Sequence, residues 1–487
     1  MTIVTVFSCF ERLLGFIYRI FLSRALGSEG VGIYQIALSV VGLLMTITAS
    51  GIPVTVSRIM IKNEAELQNP HYENTVFSGI FLSATVSIPL IAVLYLFPDF
   101  FSFVFTDKRS YRALEIILPG IAITAVYAVI RGFFWGRKKF LLYSIIELSE
   151  EAVMLAAGVF LITRSDGVTS GVNRAAYAVL ISYCFSFVTA VISYFIIGGK
   201  VASPMKELKP LIASSAPITL MRTATSLINT LIAIILPARL VAGGLSSTEA
   251  LSGFGELSGM SIPLIFIPST LIGSVALVLV PELSENYYRG NDLLLKRNAE
   301  QALKFSVFIS CMIIPVFLSL GKELGELLYG SENAGVYVSR ACYVMLPMSV
   351  TMISTSMLNS LNAEKKTLIF YLAGAAFLIF SVYFLPKYIG VYSLVAGLAV
   401  SYVITAVLNV LHLKKRCKYP PKVFGFIILS LLFTVPSALF GFLLKKLLST
   451  VLSEIPVIAI TGLSVAAFNY AFFRIFNLFD VKAFFKK

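Results

Sequence analysis

Long apolar runs, separated by short polar connections, follow one another along the whole chain. A helix needs about 20 mainly apolar residues to cross the hydrocarbon core of a bilayer. Because a membrane-embedded segment must satisfy its own backbone hydrogen bonds, each run predicts a spanning α-helix. About fourteen such helices are predicted, at residues 2–24, 32–57, 75–97, 113–135, 140–163, 175–198, 211–238, 254–280, 302–320, 337–360, 367–385, 389–412, 423–444 and 453–477.

The composition indicates lipid rather than water as the solvent. Of the 487 residues, 58% are hydrophobic and 13% are charged, whereas charged residues make up about 25% of a soluble domain. The formal net charge of +14 lies largely in the short connections, where it sets topology, and we expect no nucleic-acid partner. The predicted fold class is an all-α membrane protein.

Lysine and arginine in the connections predict the orientation. The connections after even-numbered spans, with the C-terminal tail, hold about twice as many of these residues as the other connections; Arg137–Lys139 and Lys414–Lys418 are examples. Basic loops stay on the cytoplasmic side, so both termini are predicted to be cytoplasmic. Residues 1–9 lack the basic region of a signal peptide. We predict a first span there and, from its abrupt beginning, a start further upstream.

The two halves of the chain share a pattern. A shift of 228 residues aligns Pro53 with Pro281, Leu118-Pro119 with Leu346-Pro347, and Lys138-Lys139 with Lys366-Thr367, while a shift of 215 aligns Arg24 with Arg239. The order of these matches predicts homologous, parallel halves, spans 1–6 and 7–12. The predicted domains are an N-terminal six-helix lobe at 1–199, a cytoplasmic linker at 200–210, a C-terminal six-helix lobe at 211–416, and two additional helices with a cytoplasmic tail at 417–487.

Arginines inside or at the ends of spans are candidates for substrate binding, because ionisable groups are costly in a membrane. Arg12 and Arg19 lie on one face of the first helix, about 10 Å apart along it. Arg222 lies in span 7, the repeat counterpart of span 1, and Arg58 ends span 2. A planar guanidinium binds phosphate oxygens bidentately. Alternatively, Glu11 neutralises Arg12, and the other three arginines extend to the lipid headgroups at the membrane surface.

A second group of charges combines acids with one base. Arg131, near the inner end of span 4, is predicted to pair with Glu147 or Glu151 on span 5 in a structural ion-pair network; a proton or sodium relay is the alternative. Glu256, at the outer start of span 8, is a gate candidate that would pair with an arginine of the other lobe. The alternative there is a solvated helix start.

Signatures of enzymes are absent from the sequence. It contains no Walker loop, no cluster with zinc spacing and no Ser-His-Asp arrangement. We therefore predict a protein that is not an enzyme and that has no catalytic residues, no metal site and no cofactor. A coupling ion, H⁺ or Na⁺, stays open.

Several motifs resemble a known family. They are Leu14–Arg19, Leu26–Gln35, Ser50–Arg58, Ser261–Pro268 and Val280–Glu285. In this order they resemble the stage V sporulation protein B family, in the polysaccharide-transport branch of the superfamily of multidrug and lipid-linked oligosaccharide flippases. The resemblance implies two six-helix lobes in a V with alternating access to a central cavity.

The resemblance also bears on individual residues. It implies that Arg12 corresponds to a cavity arginine of the related lipid II flippases. The second arginine of that motif would fall at Tyr18, and Arg19 is one position further on. Glu256 lies near a position where those flippases carry an arginine. These departures from the motif of the lipid II flippases bear on which lipid the protein would carry, and not on its class.

The leading hypothesis is a flippase for a lipid-linked oligosaccharide, an undecaprenyl-pyrophosphate sugar such as a peptidoglycan precursor, in cell-wall or spore-cortex synthesis. We expect a monomer in the bacterial plasma membrane, with membrane lipids and cell-wall synthesis enzymes as its other partners. One alternative is a cation-coupled multidrug exporter of the same superfamily. The other is a non-transporting scaffold for wall-synthesis enzymes.

Overall fold

The computed structural model describes residues 2–66, 72–203, 205, 207–416, 423–476 and 478–479, and every regular element in these ranges is helical. Lys418, two linker residues and most of the predicted tail lie outside the described residues. The helices are α1 Thr2–Ala49, α2 Ile52–Glu66, α3 Tyr72–Leu96, α4 Pro98–Ser102, α5 Lys108–Gly136, α6 Phe140–Ile162, α7 Gly167–Ile196, α8 Leu208–Ala242, α9 Ser247–Phe254, α10 Ile262–Phe266, α11 Ser269–Tyr288, α12 Asp292–Tyr329, α13 Glu332–Ala341, α14 Met345–Ser360, α15 Glu364–Phe384, α16 Pro386–Ile389, α17 Tyr392–Arg416, α18 Phe424–Leu448 and α19 Glu454–Ile475. A π-helical turn, Gly255–Ser261, follows α9, and a 3-10 turn, Cys342–Val344, joins α13 to α14.

Within the described ranges, eleven helical stretches are long and apolar enough to cross a membrane. The stretch Val6–Ala65 unites the first two predicted spans. α6 is absent from the eleven although it has 23 residues, because its glutamates add charge to an otherwise apolar helix. The all-α membrane fold is confirmed, whereas the count of fourteen spans stays a prediction.

The helix surfaces agree with lipid as the solvent. On α18, Leu432, Leu439 and Leu443 are each more than half exposed. In contrast, Ser430, Thr434 and Ser437 on the same helix are fully buried. Small hydroxyl residues let membrane helices approach closely, so α18 turns its leucines outward and packs through its small polar face.

The chain divides into two compact units, Met1–Gly255 and Glu256–Lys487. In the first unit, α1 bends at Gly27, whose φ of 68° and ψ of 179° are readily adopted only by glycine. α1 ends at Ala49, and α2 begins with Pro53 in its first turn, where a missing N–H is tolerated. The second predicted span, 32–57, therefore crosses a break near Ser50 instead of forming one helix.

α5 is central to the first unit and packs against α1, α2, α3 and α7. At its start, Arg109 Nη2 donates to Glu29 Oε1 at 2.5 Å and to Asp107 Oδ2 at 2.7 Å. Burial alone would raise the pKa of Asp107, but hydrogen bonds from Arg109 hold it below its ordinary value. This cluster fixes the second half of α1 against the start of α5.

α9 approaches α1 through two glycines. A Cβ atom at Gly32 would lie 2.1 Å from the Leu251 carbonyl oxygen, and one at Gly255 would lie 2.1 Å from the Ser28 carbonyl oxygen. Only glycine permits such an approach. Contacts therefore group α8 and α9 with the first unit, although the predicted boundary assigns them to the lobe at 211–416. The division into homologous lobes stays a prediction.

In the second unit, α18 and α19 pack against each other and against α12. The buried Asn469 connects all three helices. Its Nδ2 donates to the Cys311 carbonyl oxygen at 2.6 Å, and its Oδ1 accepts from the Ser437 hydroxyl at 3.2 Å. Phe433 and Phe472 stack alongside, with ring centroids 4.9 Å apart. The two additional helices are thus joined firmly to the second unit.

The order of helix contacts recurs in the two units. In the first, α3 packs on α5, and α5 and α6 pack on α7; in the second, α12 packs on α14, and α14 and α15 pack on α17. The same turn also recurs before α6 and α15. Lys138 and Asn362 have φ of 56° and 55°, and hydrogen bonds from Lys139 N–H to Phe134 O and from Ala363 N–H to Leu358 O close both turns.

These turns correct the register of the repeat. Asn362 follows Lys138 by 224 residues, and the helix cap Ser331 follows the helix cap Asp107 by the same interval. The predicted shift of 228 is therefore one helical turn too long in this region. The shift of 228 rests on three short matches, two of which align prolines. Helix caps and turns fix the backbone register more directly than such shared residues do.

Candidate functional site

A cavity of about 320 Å³ lies among α1, α5, α6, α7 and α8 of the first unit. We call it the acidic cavity, because four glutamates and two arginines line it. Its lining residues are Glu11, Met45, Thr46, Ala49, Ser50, Thr124, Tyr127, Ala128, Arg131, Glu147, Glu150, Glu151, Tyr183 and Arg222.

α6 supplies three of the acids. Glu147, Glu150 and Glu151 follow one another at i, i+3 and i+4, which places them on one face of a helix. Glu11 faces them from α1. The sequence singled out Glu147, Glu151 and Glu11, and the structure brings all three to one cavity.

Arg131 provides the ion pair of this cavity. Its Nη1 lies 3.3 Å from Glu147 Oε1, with the two side chains 27% and 19% exposed. The guanidinium carbon also lies 5.4 Å from the centre of the Trp135 ring. Salt screens partly buried ion pairs less than exposed ones, so the charge of Arg131 is used by Glu147. The carboxylates of Glu11, Glu150 and Glu151 are left to other partners.

Three polar atoms at the cavity have no hydrogen-bond partner among the described residues. They are Glu151 Oε2, Tyr127 Oη and Arg131 Nε, and Tyr127 is only 6% exposed. Leaving a buried polar group unpaired costs about 1–3 kcal/mol. A cavity that keeps three such atoms is chemically suited to bind a proton, a cation or the polar part of a substrate.

Arg222 reaches the same cavity from α8. Its Nη1 donates to the Ser50 carbonyl oxygen at 2.7 Å, and the Gly51 N–H donates to Thr219 Oγ1 at 3.2 Å. α8 thereby satisfies backbone groups that the break between α1 and α2 leaves open. Arg222 was predicted as a substrate contact, and it lies at the cavity wall.

The other predicted arginines do not line the acidic cavity. Arg12 and Arg58 are exposed, and Arg19 is half-buried on α1. Glu11 therefore faces the acidic cavity while its neighbour Arg12 does not. Whether Arg12 and Arg19 contact a substrate stays a prediction.

Glu256 lies in the second unit and is buried, with 8% of its surface exposed. Its Oε1 accepts a hydrogen bond from the Ser331 hydroxyl at 3.0 Å. Glu256 is therefore not the solvated helix start that the sequence left as an alternative. The gate with an arginine stays a prediction.

Sequence reasoning did not select Glu150, Tyr127 or Tyr183. Glu150 could have been found from its spacing with Glu147 and Glu151. Tyr127 stands four residues before Arg131 on α5, but tyrosine is common in membrane helices, so this spacing alone gave no signal. Tyr183 reaches the cavity only through the packing of α7.

Residues 1–287 match the polysaccharide biosynthesis protein family. The chain belongs to that family. The resemblance found in its motifs is thereby confirmed. Stage V sporulation protein B of Bacillus subtilis is 25% identical over 342 residues, a match that covers 67% of this chain and 65% of that relative's length.

Solved transporter structures share the fold. The lipid II flippase MurJ in an inward closed conformation has a TM-score of 0.72 at 16% identity, covering 98% of this chain and 100% of that one. An inward-facing multidrug resistance transporter of the MATE family has a TM-score of 0.69 at 15% identity, covering 84% of this chain and 94% of that one. The fold is thus that of membrane transporters.

Proposed function

We propose that the protein is a flippase that moves a lipid-linked oligosaccharide across the bacterial plasma membrane by alternating access. The substrate class is an undecaprenyl-pyrophosphate sugar, such as a peptidoglycan precursor for cell-wall or spore-cortex synthesis. The protein acts as a transporter rather than an enzyme, and its headgroup site faces an aqueous cavity while the prenyl tail stays in lipid.

The observation that carries the proposal is the likeness to the lipid II flippase, which extends over the whole of both chains. Membership of the polysaccharide biosynthesis protein family supports the same substrate class. The MATE transporter has a similar TM-score, but its match covers a smaller share of this chain.

We assign anion binding to Arg12, Arg19, Arg58 and Arg222, and cation exchange to the glutamates of the acidic cavity. Of these arginines, Arg222 lines that cavity. The carboxylates of Glu11, Glu150 and Glu151 would take up the coupling ion, H⁺ or Na⁺. Arg131 holds Glu147 in place through their ion pair.

A cation-coupled multidrug exporter is the second candidate. The observation that favours it is the composition of the cavity, where Glu11 is present and Arg12 is absent. Such a carrier would trade a cation on these carboxylates for a cationic drug, and it would have no need for arginines on α1.

Flipping by purified protein in liposomes tests the proposal. A fluorescent undecaprenyl-pyrophosphate disaccharide should become accessible to an external reagent faster than in protein-free liposomes. Labelled phosphatidylcholine in the same liposomes controls for unspecific scrambling. Transport of a cationic dye without lipid-linked sugar would favour the exporter, and transport of neither would favour the scaffold.

The proposed orientation has both termini in the cytoplasm. Cysteines introduced one at a time into a cysteine-free chain test it in intact cells. A cysteine at Asp166, between α6 and α7, should react with an impermeant maleimide, and one at Lys414 should react only after permeabilisation. The reverse pattern would contradict the orientation.

A further inference from the structure

The second unit has a groove whose shape and charge differ from those of the acidic cavity. It has a volume of about 680 Å³ and lies between α17 and the segment that runs from the end of α13 to the first turn of α14. Its lining residues are Arg340, Tyr343, Val344, Pro347, Ile389, Tyr392, Val395, Ala396, Ala399 and Val403. All but Arg340 and the two tyrosines are apolar, so the groove is apolar along its length and polar at one end.

The length of the groove matches one leaflet of a bilayer. Tyr392, Ala396, Ala399 and Val403 form a stripe on one face of α17. At 1.5 Å per residue this stripe is about 16 Å long, and half of a hydrocarbon core of about 30 Å is about 15 Å. The two alanines leave room along the stripe for a hydrocarbon chain.

Arg340 forms the polar end. Its Nη1 donates to the Tyr392 hydroxyl at 2.7 Å, and its guanidinium carbon lies 5.4 Å from the centre of that ring. Tyr337 packs edge-on against Tyr392 with ring centroids 5.3 Å apart. Tyr392 thus orients the guanidinium at the mouth of the groove, while the other donors of the fork remain available.

Both lysines of the recess that adjoins Arg340 are paired with acids. Arg340 also borders a recess of about 260 Å³ that contains Lys322 and Lys445. Lys445 Nζ lies 2.7 Å from Glu323 Oε1, and Lys322 pairs with Glu332. Within the part of the chain that the structure describes, no ion pair with an acid involves Arg340. Among the described residues that line the groove, Arg340 is thus the one cation, and no acid pairs with it.

We propose that this groove binds an anionic glycerophospholipid, with one acyl chain between α14 and α17 and the phosphodiester on Arg340. A phosphodiester carries one negative charge, which matches Arg340, the one cation among the described residues that line the groove. An acyl chain spans one leaflet, as the groove does. The predicted orientation places the mouth at the outer surface, because α14 and α17 both begin there.

Native mass spectrometry of the purified full-length chain tests this site. Delipidated protein is titrated with dioleoylphosphatidylglycerol or with dioleoylphosphatidylcholine. Wild type should bind one phosphatidylglycerol at least about tenfold more tightly than phosphatidylcholine, since a charge-assisted hydrogen bond distinguishes them. Arg340→Gln should abolish that preference, and Arg340→Lys should keep part of it because the charge remains.

Two further variants distinguish the contribution of the lipid headgroup to binding from that of the acyl chain. Arg289→Gln removes an arginine of the same unit that is 74% exposed and paired with Glu285, and it should leave the preference unchanged. Ala399→Leu fills the groove and should weaken both lipids together. Unchanged thermal unfolding of each variant shows that the fold is intact.

Several results would overturn the proposal. If Arg289→Gln weakened binding as much as Arg340→Gln, the attraction would be a general effect of surface charge. If inorganic phosphate displaced the lipid at equal concentration, or Ala399→Leu had no effect, the site would hold a free anion. If an undecaprenyl-pyrophosphate sugar bound there in preference to phosphatidylglycerol, the groove would belong to the transported substrate.

Discussion

Glu11 and Arg12 are adjacent in sequence but have different surroundings. Successive positions on a helix point about 100° apart, so the packing of α1 against α6 turns Glu11 into the acidic cavity and leaves Arg12 exposed. In the proposed functions, Glu11 would bind a cation and Arg12 would contact a headgroup. Substitution of each separates the two candidate functions.

If Arg12 and Arg19 bind pyrophosphate, Arg12→Ala and Arg19→Ala should each strongly reduce flipping while membrane insertion remains normal. Loss of one charge-assisted contact costs about 1.5–3 kcal/mol, or roughly ten- to over a hundredfold in affinity. Arg→Lys should restore flipping only in part, because the bidentate fork is lost. The measurement is the flipping rate in liposomes.

Glu11→Gln is the matched variant for the exporter. It keeps the shape of the side chain and removes the charge, so it should abolish cation-coupled drug export while the arginine variants have little effect. Normal flipping of the lipid-linked sugar by both Arg12→Ala and Arg19→Ala would rule out anion binding on α1.

At the scale of elements, the turn before α6 contains strain that its counterpart avoids. Lys138 and Asn362 both have positive φ, which costs an ordinary residue about 1–2 kcal/mol but is tolerated better by asparagine. Lys138→Gly should therefore raise the free energy of unfolding by about 0.5–1 kcal/mol, after the greater unfolded-state entropy of glycine is subtracted. Asn362→Lys should lower it by about 1 kcal/mol.

Thermal unfolding in detergent measures both changes. Lys139→Gly serves as the control, because it removes the same charge at a position whose φ is −86°. It should not stabilise the protein. If Lys138→Gly and Lys139→Gly shifted the unfolding temperature equally, charge rather than backbone conformation would be responsible.

The contact between α1 and α9 gives a second prediction at this scale. Gly32→Ala places a methyl group 2.1 Å from the Leu251 carbonyl oxygen, so the two helices must separate. If the proposed alternating access separates these helices when the predicted outer side opens, Gly32→Ala should favour the open arrangement. A cysteine at Leu251, which is fully buried, should then react faster with a water-soluble maleimide.

Gly42→Ala is the control for this experiment. Gly42 lies on the same helix, and a Cβ atom there would have no neighbour within 4 Å. The maleimide reaction at position 251 should stay slow in this variant. If Gly32→Ala also left it slow, α1 and α9 would tolerate the methyl group without separating.

The elements differ in how far the sequence could predict them. Apolar runs predicted the helices well, because the length of a bilayer-spanning helix and the apolar character of its residues follow from the lipid solvent alone. The break near Ser50 was missed, since the apolar run of the span predicted at 32–57 continues through it without a polar connection. The spacing of Glu147, Glu151 and Arg131 predicted their proximity, but the place of Glu11 depends on how α1 packs against α6. Local patterns do not contain that information.

At the scale of the whole molecule, the two units share an order of helix contacts but differ in the chemistry of their cavities. The first encloses carboxylates with one internal ion pair. The second has an apolar groove that ends at Arg340, whose guanidinium is hydrogen-bonded to Tyr392. A recurring fold thus determines where the helices lie, whereas the charged side chains determine what each unit can bind.

The net charge that moves across the membrane distinguishes the two candidate functions in the intact protein. Flipping of an anionic headgroup from the cytoplasmic side is favoured by a potential that is negative inside, by about 2.3 kcal/mol per charge per 100 mV. We therefore expect a valinomycin-generated, inside-negative potential to accelerate outward flipping in liposomes, and an ionophore mixture that collapses the potential to remove the acceleration.

Export of a cationic drug would instead be slowed by the same potential, unless the exchanged cations carried an equal charge inward. Outward flipping that is indifferent to the potential at fixed pH and Na⁺ would require cations to move outward together with the headgroup and cancel its charge. If the glutamates of the acidic cavity carry these cations, Glu150→Gln or Glu151→Gln should restore the dependence on potential.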